Sequence, residues 1–174
     1  MNADEFAERL RLIAPPVSDL NRLGMSPAGI ERFRAGYFCR RISASDETDP
    51  LLDLCTNFDL SSFEVGMVRL SRRTEFDQDH WNIGRDESDT IIYPKGGGFV
   101  SVRDHEDLNR EVCKCARTAD GFLSALLVVA EFSTECAFRN EDPDQVAARR
   151  ALDQCLRLAG IESRPFYFTL LGVT

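Results

Sequence analysis

Apolar residues recur at helical spacing near both ends of the chain and at strand-like spacing in its middle. Phe6, Leu10 and Ile13 fall three or four residues apart, which predicts a helix over residues 4–13 that Pro15 and Pro16 stop. A second short helix is predicted over 17–23, closed by Gly24. A third opens at Ser26, which supplies an N-cap; Pro27 follows where a missing N–H costs nothing, and Ile30, Phe33 and Tyr37 make one face. In the middle, residues 63–70 alternate imperfectly, as a strand buried on both faces for part of its length does. Residues 90–93 and 99–102 flank a turn signal running from Pro94 to Gly98, and together they predict a hairpin. Residues 39–42 read as an edge strand, 51–58 as a short strand at most, and 111–116 as either a strand or the lead-in to a helix.

Residues 118–132 carry the strongest helical stripe. Thr118 caps it, Phe122, Leu126, Val129 and Ala130 line one side, and Leu123 with Leu127 widens that side until the helix must be largely buried. A loop over 140–143 leads to a last helix at 144–158, which Gly160 ends. The aromatic and aliphatic run at 165–171 predicts a C-terminal strand. The order of elements predicts one α+β domain, a mixed sheet of about five or six strands with helices packed on one side, with 140–174 as an extension of helix and strand.

Composition narrows the function classes. An apolar share of 43% and a charged share of 29% in 174 residues suit one packed core and exclude a disordered chain. The net charge of −8 argues against non-specific nucleic-acid binding, which needs a basic stripe, and suits a basic partner or simple solubility. No apolar run reaches the roughly 20 residues that cross a bilayer, and the opening residues lack the apolar centre of a secretion signal, so a cytoplasmic location is expected. There the six cysteines, Cys39, Cys55, Cys113, Cys115, Cys136 and Cys155, act as small apolar residues rather than disulfide partners.

Three stretches resemble the SUKH superfamily, which includes fungal cell-wall-assembly regulators and bacterial toxin-immunity proteins. Residues 81–84 with 86–89 resemble its turn into a strand, 98–100 its following strand, and 116–123 its helix opening, in which an Ala precedes a Phe-Leu pair. Ser88 stands where that pattern has Gly, and Ala119 where an aromatic is common. The resemblance spans about residues 26–132 and implies a mixed sheet with helices packed on it. It also implies a non-enzymatic, cofactor-free protein that neutralises a toxin domain by covering it.

Candidate chemistry is sparse. Gly96, Gly97 and Gly98 precede a strand rather than a helix, so they serve a turn and not a phosphate. Cys113 and Cys115 have one residue between them, short of zinc-site spacing, and His80 and His105 lie far away in sequence. Asp77, Asp79, Asp86, Glu87 and Asp89 form an acidic collar that lacks the ligand spacing of a calcium loop. With Trp81, these residues are the predicted contact for a basic protein, most simply a nuclease toxin, with no catalytic residue, metal, nucleic acid or membrane involved. A regulatory or scaffold module binding a cellular protein, and a small metal-dependent hydrolase using Cys113, Cys115, His80 or His105, are the alternatives.

Overall fold

The computed structural model describes residues 1–44, 46–139 and 144–174, and the loop expected over 140–143 lies outside them. Three helices open the chain, α1 (Ala3–Ile13), α2 (Val17–Arg22) and α3 (Pro27–Ala35). Asn2 caps α1 by accepting from the Glu5 N–H at 2.8 Å, and Ser26 caps α3 from Gly29 at 3.2 Å, with Pro27 in the first turn. A two-stranded antiparallel ladder, β1 (Arg40–Arg41) with β2 (Phe58–Asp59), brackets α4 (Pro50–Asn57). The short strand expected over 51–58 is thus a helix. Asp49 accepts from the N–H groups of Leu51 and Leu52, both at 3.0 Å, and Pro50 fills the first turn. This Asp-Pro start outweighs the β preference of the following residues.

Five strands follow as a meander: β3 (Val68–Glu75), β4 (His80–Asp86), β5 (Asp89–Pro94), β6 (Val100–Arg103) and β7 (Glu111–Ala116), each paired with the next. Every pairing is antiparallel, so the sheet is not the mixed one expected. Each connection is a short loop, and none is long enough for a crossover. The hairpin expected around Pro94–Gly98 is present as β5 and β6. The strand expected over 63–70 begins only at Val68, because Gly66 at φ 61° turns the chain and Val65 and Val68 hydrogen-bond each other at 2.9 and 3.0 Å. One cross-strand row, Leu70, Gly84, Ile91, Val102 and Cys113, faces the helices, and the next, Arg69, Arg85, Thr90, Arg103 and Glu111, faces away.

Helix α5 (Ala119–Arg139) lies across the inner face of the sheet. Thr118 caps it, accepting from Gly121 N–H at 3.0 Å, and Phe122, Leu123, Leu126, Leu127 and Val129 are shut off from water. It packs against α1, α4, β7 and the following α6 (Gln145–Ala159), so it is enclosed rather than amphipathic. Gly160 ends α6, and after a 3-10 turn at Ile161–Ser163 the run expected as a strand is helix α7 (Arg164–Leu170). Pro165 suits a helix start, and the helical turn aims Phe166 and Tyr167 into the same core that holds Leu152 and Cys155. None of the six cysteines is in a disulfide, and Cys55, Cys115 and Cys155 are fully buried. Among the described residues no helix is long and apolar enough to cross a membrane.

Two substitutions test this packing. A Cβ on Gly121 would lie 2.6 Å from the Leu158 carbonyl oxygen. Helix propensity favours alanine by about 1 kcal/mol. Forcing two backbones apart costs about 1–3 kcal/mol, and the clash is with backbone that cannot swing away. Gly121→Ala is therefore expected to destabilise the fold, by about 1–2 kcal/mol in urea denaturation. The hydroxyl of Tyr167 is buried without a hydrogen-bond partner. Tyr167→Phe is expected to hold stability or raise it by up to about 1 kcal/mol in the same assay, whereas Tyr167→Ala loses about 3–5 kcal/mol.

Candidate functional site

The acidic collar read from the sequence is divided by strand β4, because its members sit at opposite ends of that strand. From His80 to Asp86 the chain runs six residue steps, roughly 20 Å. At one end Asp77 organises the β3–β4 loop. Its Oδ1 accepts from the N–H groups of Asp79 and His80 at 2.8 and 2.7 Å, and its carboxylate meets His80 Nδ1 at 2.9 Å. The backbone carbonyl of Asp79 accepts from Lys95 N–H at 2.8 Å, tying the loop to the glycine turn. Trp81 is half-buried against the core between two cations, Arg73 at 4.9 Å and Lys95 at 4.7 Å from its ring centroid. Those cations are themselves held by Glu47 at 3.2 Å and Glu75 at 2.8 Å. This end is charge-balanced, and Trp81 is part of its framework.

The other end gathers Asp86, Glu87 and Asp89 with a loop that sequence reading left out of the site. A two-residue turn, Glu87–Ser88, joins β4 to β5, with Glu87 at φ 52°. The β6–β7 loop lies beside it. Asp104 pins that loop: it is buried, its Oδ1 accepts from the N–H groups of Glu106 and Asp107 at 2.7 and 3.0 Å, and its Oδ2 pairs with Arg110. These bonds, those from backbone N–H groups first, hold the Asp104 carboxyl below its ordinary pKa. Asp89 clasps the two loops together, because its Oδ1 accepts from His105 N–H at 3.0 Å and meets His105 Nδ1 at 2.7 Å. Asp86 Oδ1 is buried without a hydrogen bond, so desolvation, followed by repulsion from Glu87 and Asp89, pushes the Asp86 pKa up.

Residues 85–90 and 103–111 together carry seven carboxylates against three arginines, a net of −4 and half the charge of the whole chain. Glu87, Glu106, Asp107 and Glu111 are exposed on this end. Between them stand Leu108, 50% exposed, and Val112, 49% exposed. The arginines Arg85 and Arg103 belong to the outward row of the sheet beside the loops. Only the strand count would have found Glu106, Asp107 and Glu111 from sequence. In an antiparallel meander alternate loops share an end, so the loop after β6 must return to the turn after β4.

Three candidate catalytic or metal arrangements among the described residues fail on specific atoms. Ser88, His105 and Asp89 are adjacent, but Ser88 Oγ and Asp89 Oδ1 approach the same ring nitrogen, Nδ1, at 3.3 and 2.7 Å. A nucleophile relay needs them on opposite nitrogens. Asp89, Asp104 and His105 offer ligand atoms within 4.8 Å of one another. Those of Asp104 are engaged by two N–H groups and Arg110, so a cation would have to displace an arginine. Cys113 and Cys115 meet side chain to side chain, but the two histidines do not join them as one set. His80 and His105 lie at opposite ends of the sheet, and Cys115 is wholly buried, with burial pushing its thiol pKa up.

The Asp89 clasp sets a pH dependence. The hydrogen bond to Asp89, aided by its charge, raises the His105 pKa above the ordinary 6.5. Asp89 favours the charged ring, so the ring's share of the clasp is full below about 6.5 and weakens as pH rises through the folded-state pKa, while the bond from the His105 backbone N–H persists. An NMR titration of His105 is expected to give a midpoint above 6.5 that falls toward it in Asp89→Asn. No family model, curated protein sequence or solved structure matches this chain.

Proposed function

We propose that this chain is a protein-binding module and that the acidic end of its sheet receives a basic partner, in the manner of an immunity protein covering a nuclease toxin. The observation that carries the reading is the net charge of −4 on two loops held together by Asp89 and His105, with Leu108 and Val112 exposed among the carboxylates. Exposed carboxylates steer a cationic surface into place, and an apolar pair at the contact supplies buried area once water leaves. A nuclease presents such a surface because its own substrate is phosphate. The fixed β6–β7 loop lowers the ordering cost of binding. On this reading the site acts by occupying its partner's working face. The resemblance to SUKH immunity proteins supports the toxin as the partner class, and the geometry supports the acidic end as the contact.

The test is titration of the purified chain with basic nuclease domains, beginning with any encoded by the neighbouring genes. Binding is expected to weaken steeply with added salt. The double reversal Glu87→Lys with Glu106→Lys is expected to weaken it by at least about tenfold. Asp77→Lys with Asp79→Lys, at the charge-balanced end, changes it by about twofold or less. Failure to bind, insensitivity to salt, or greater sensitivity at Asp77 and Asp79 would each refute this assignment.

A further inference from the structure

The first forty residues hold a second feature that the acidic end does not use. Helices α2 and α3 enclose a groove of about 630 Å³ whose apolar walls come from Val17, Pro27, Ile30, Ala35 and Phe38. Val17 and Phe38 are each 43% exposed, so this apolar surface meets water. Such a volume lies within the range of small-molecule sites, which are mostly apolar with few polar groups. Of the polar residues lining it, Asn21 and Glu31 sit exposed at the margin, where water screens them.

Arg34 differs from them. Its Nε is shut off from water and has no hydrogen-bond partner, and among the described residues no carboxylate pairs with its guanidinium. Its guanidinium stands over the Phe38 ring, whose centroid lies 5.5 Å from Cζ. An arginine stays charged at every physiological pH and presents a planar fork of donors suited to a carboxylate. The side chain as a whole is half-buried and only Nε is shut away, so the two Nη groups are the donors that an anion in the groove would meet. The local charge agrees with this. Residues 17–42 carry five arginines and two carboxylates on a chain whose net charge is −8.

We propose that this groove binds a small organic anion with an apolar body, a medium-chain alkyl or aryl carboxylate, whose head group pairs with Arg34 while its body lies along Ile30, Ala35 and Phe38. The site stands apart from the acidic sheet end and holds whether or not that end binds a protein. The apolar walls supply affinity, and Arg34 selects acids over neutral molecules of the same length.

Decanoate and decanol, each below its aggregation range, are titrated into the purified chain by calorimetry and ligand-observed NMR. Decanoate is expected to bind with a Kd of about 1 mM or tighter, and decanol at least about tenfold more weakly. In Arg34→Gln that preference is expected to vanish while decanol binding is unchanged. In Ala35→Phe, which fills the groove and leaves the charge, both ligands are expected to be lost. Circular dichroism melting confirms that each variant is folded. Equal affinity for the acid and the alcohol, a preference that survives Arg34→Gln, or no decanoate binding at about 1 mM would overturn the assignment.

Discussion

Helix α5 has no polar side to offer water along residues 122–130, and enclosing it is the constraint from which the rest of the architecture follows. One flank is covered by the inner face of the sheet, and the others by α1, α4 and α6. Burying a large aliphatic or aromatic side chain is worth about 1.5–3 kcal/mol, so the run through Phe122, Leu123, Leu126, Leu127 and Val129 outweighs any local preference nearby. Residues 165–171 illustrate this. Their aromatic content favours a strand, but as helix α7 they place Phe166 and Tyr167 into the core beside β7. The close passage of α6 over Gly121 has the same origin, since only a residue without a side chain lets the two backbones approach as they do.

With the interior so apolar, charge collects at the ends of the sheet and on the N-terminal helices, where it is unevenly divided. The β4–β5 turn and the β6–β7 loop collect carboxylates, whereas residues 17–42 collect arginines. The loops at the acidic end are held by hydrogen bonds inside their own segments, above all those to Asp104. A rigid loop can therefore keep Glu106, Asp107 and Leu108 exposed without collapsing onto the sheet. The opposite end of β4 uses the same residue types differently. There Asp77 is spent on its own turn, and the cations Arg73 and Lys95 stack on Trp81, so carboxylates and cations offset each other.

Three of the six side-chain polar atoms that are buried without partners among the described residues lie in instructively different places. Tyr167 Oη lies deep in the core, where its hydroxyl adds nothing to stability that phenylalanine would not. Asp86 Oδ1 and Arg34 Nε lie instead beside surfaces that a partner or ligand can reach, and each carries a charge of the sign that its proposed occupant would complement. An unmet group in the core is a tolerated defect, whereas one at a groove or a sheet end is a demand that binding can satisfy.

By itself the sequence determined the α+β class, the helices capped by Ser26 and Thr118, the β5–β6 hairpin around its glycines, and the burial of α5, because each rests on contacts within a few residues. It also determined that the charge is strongly negative. Tertiary structure alone decided that the sheet is antiparallel, that 51–58 and 165–171 are helical, and that Asp77 and Asp79 part company with Asp86, Glu87 and Asp89. Strand pairing and the sorting of loops to one end depend on how many strands precede a residue. No strand is predicted over residues 80–86, so that count falls one short and the partnership of Asp89 with His105 could not be seen in the order of residues. The groove under Arg34 was hidden for the same reason, since a vacancy between two helices is a property of how they cross, which no local pattern encodes.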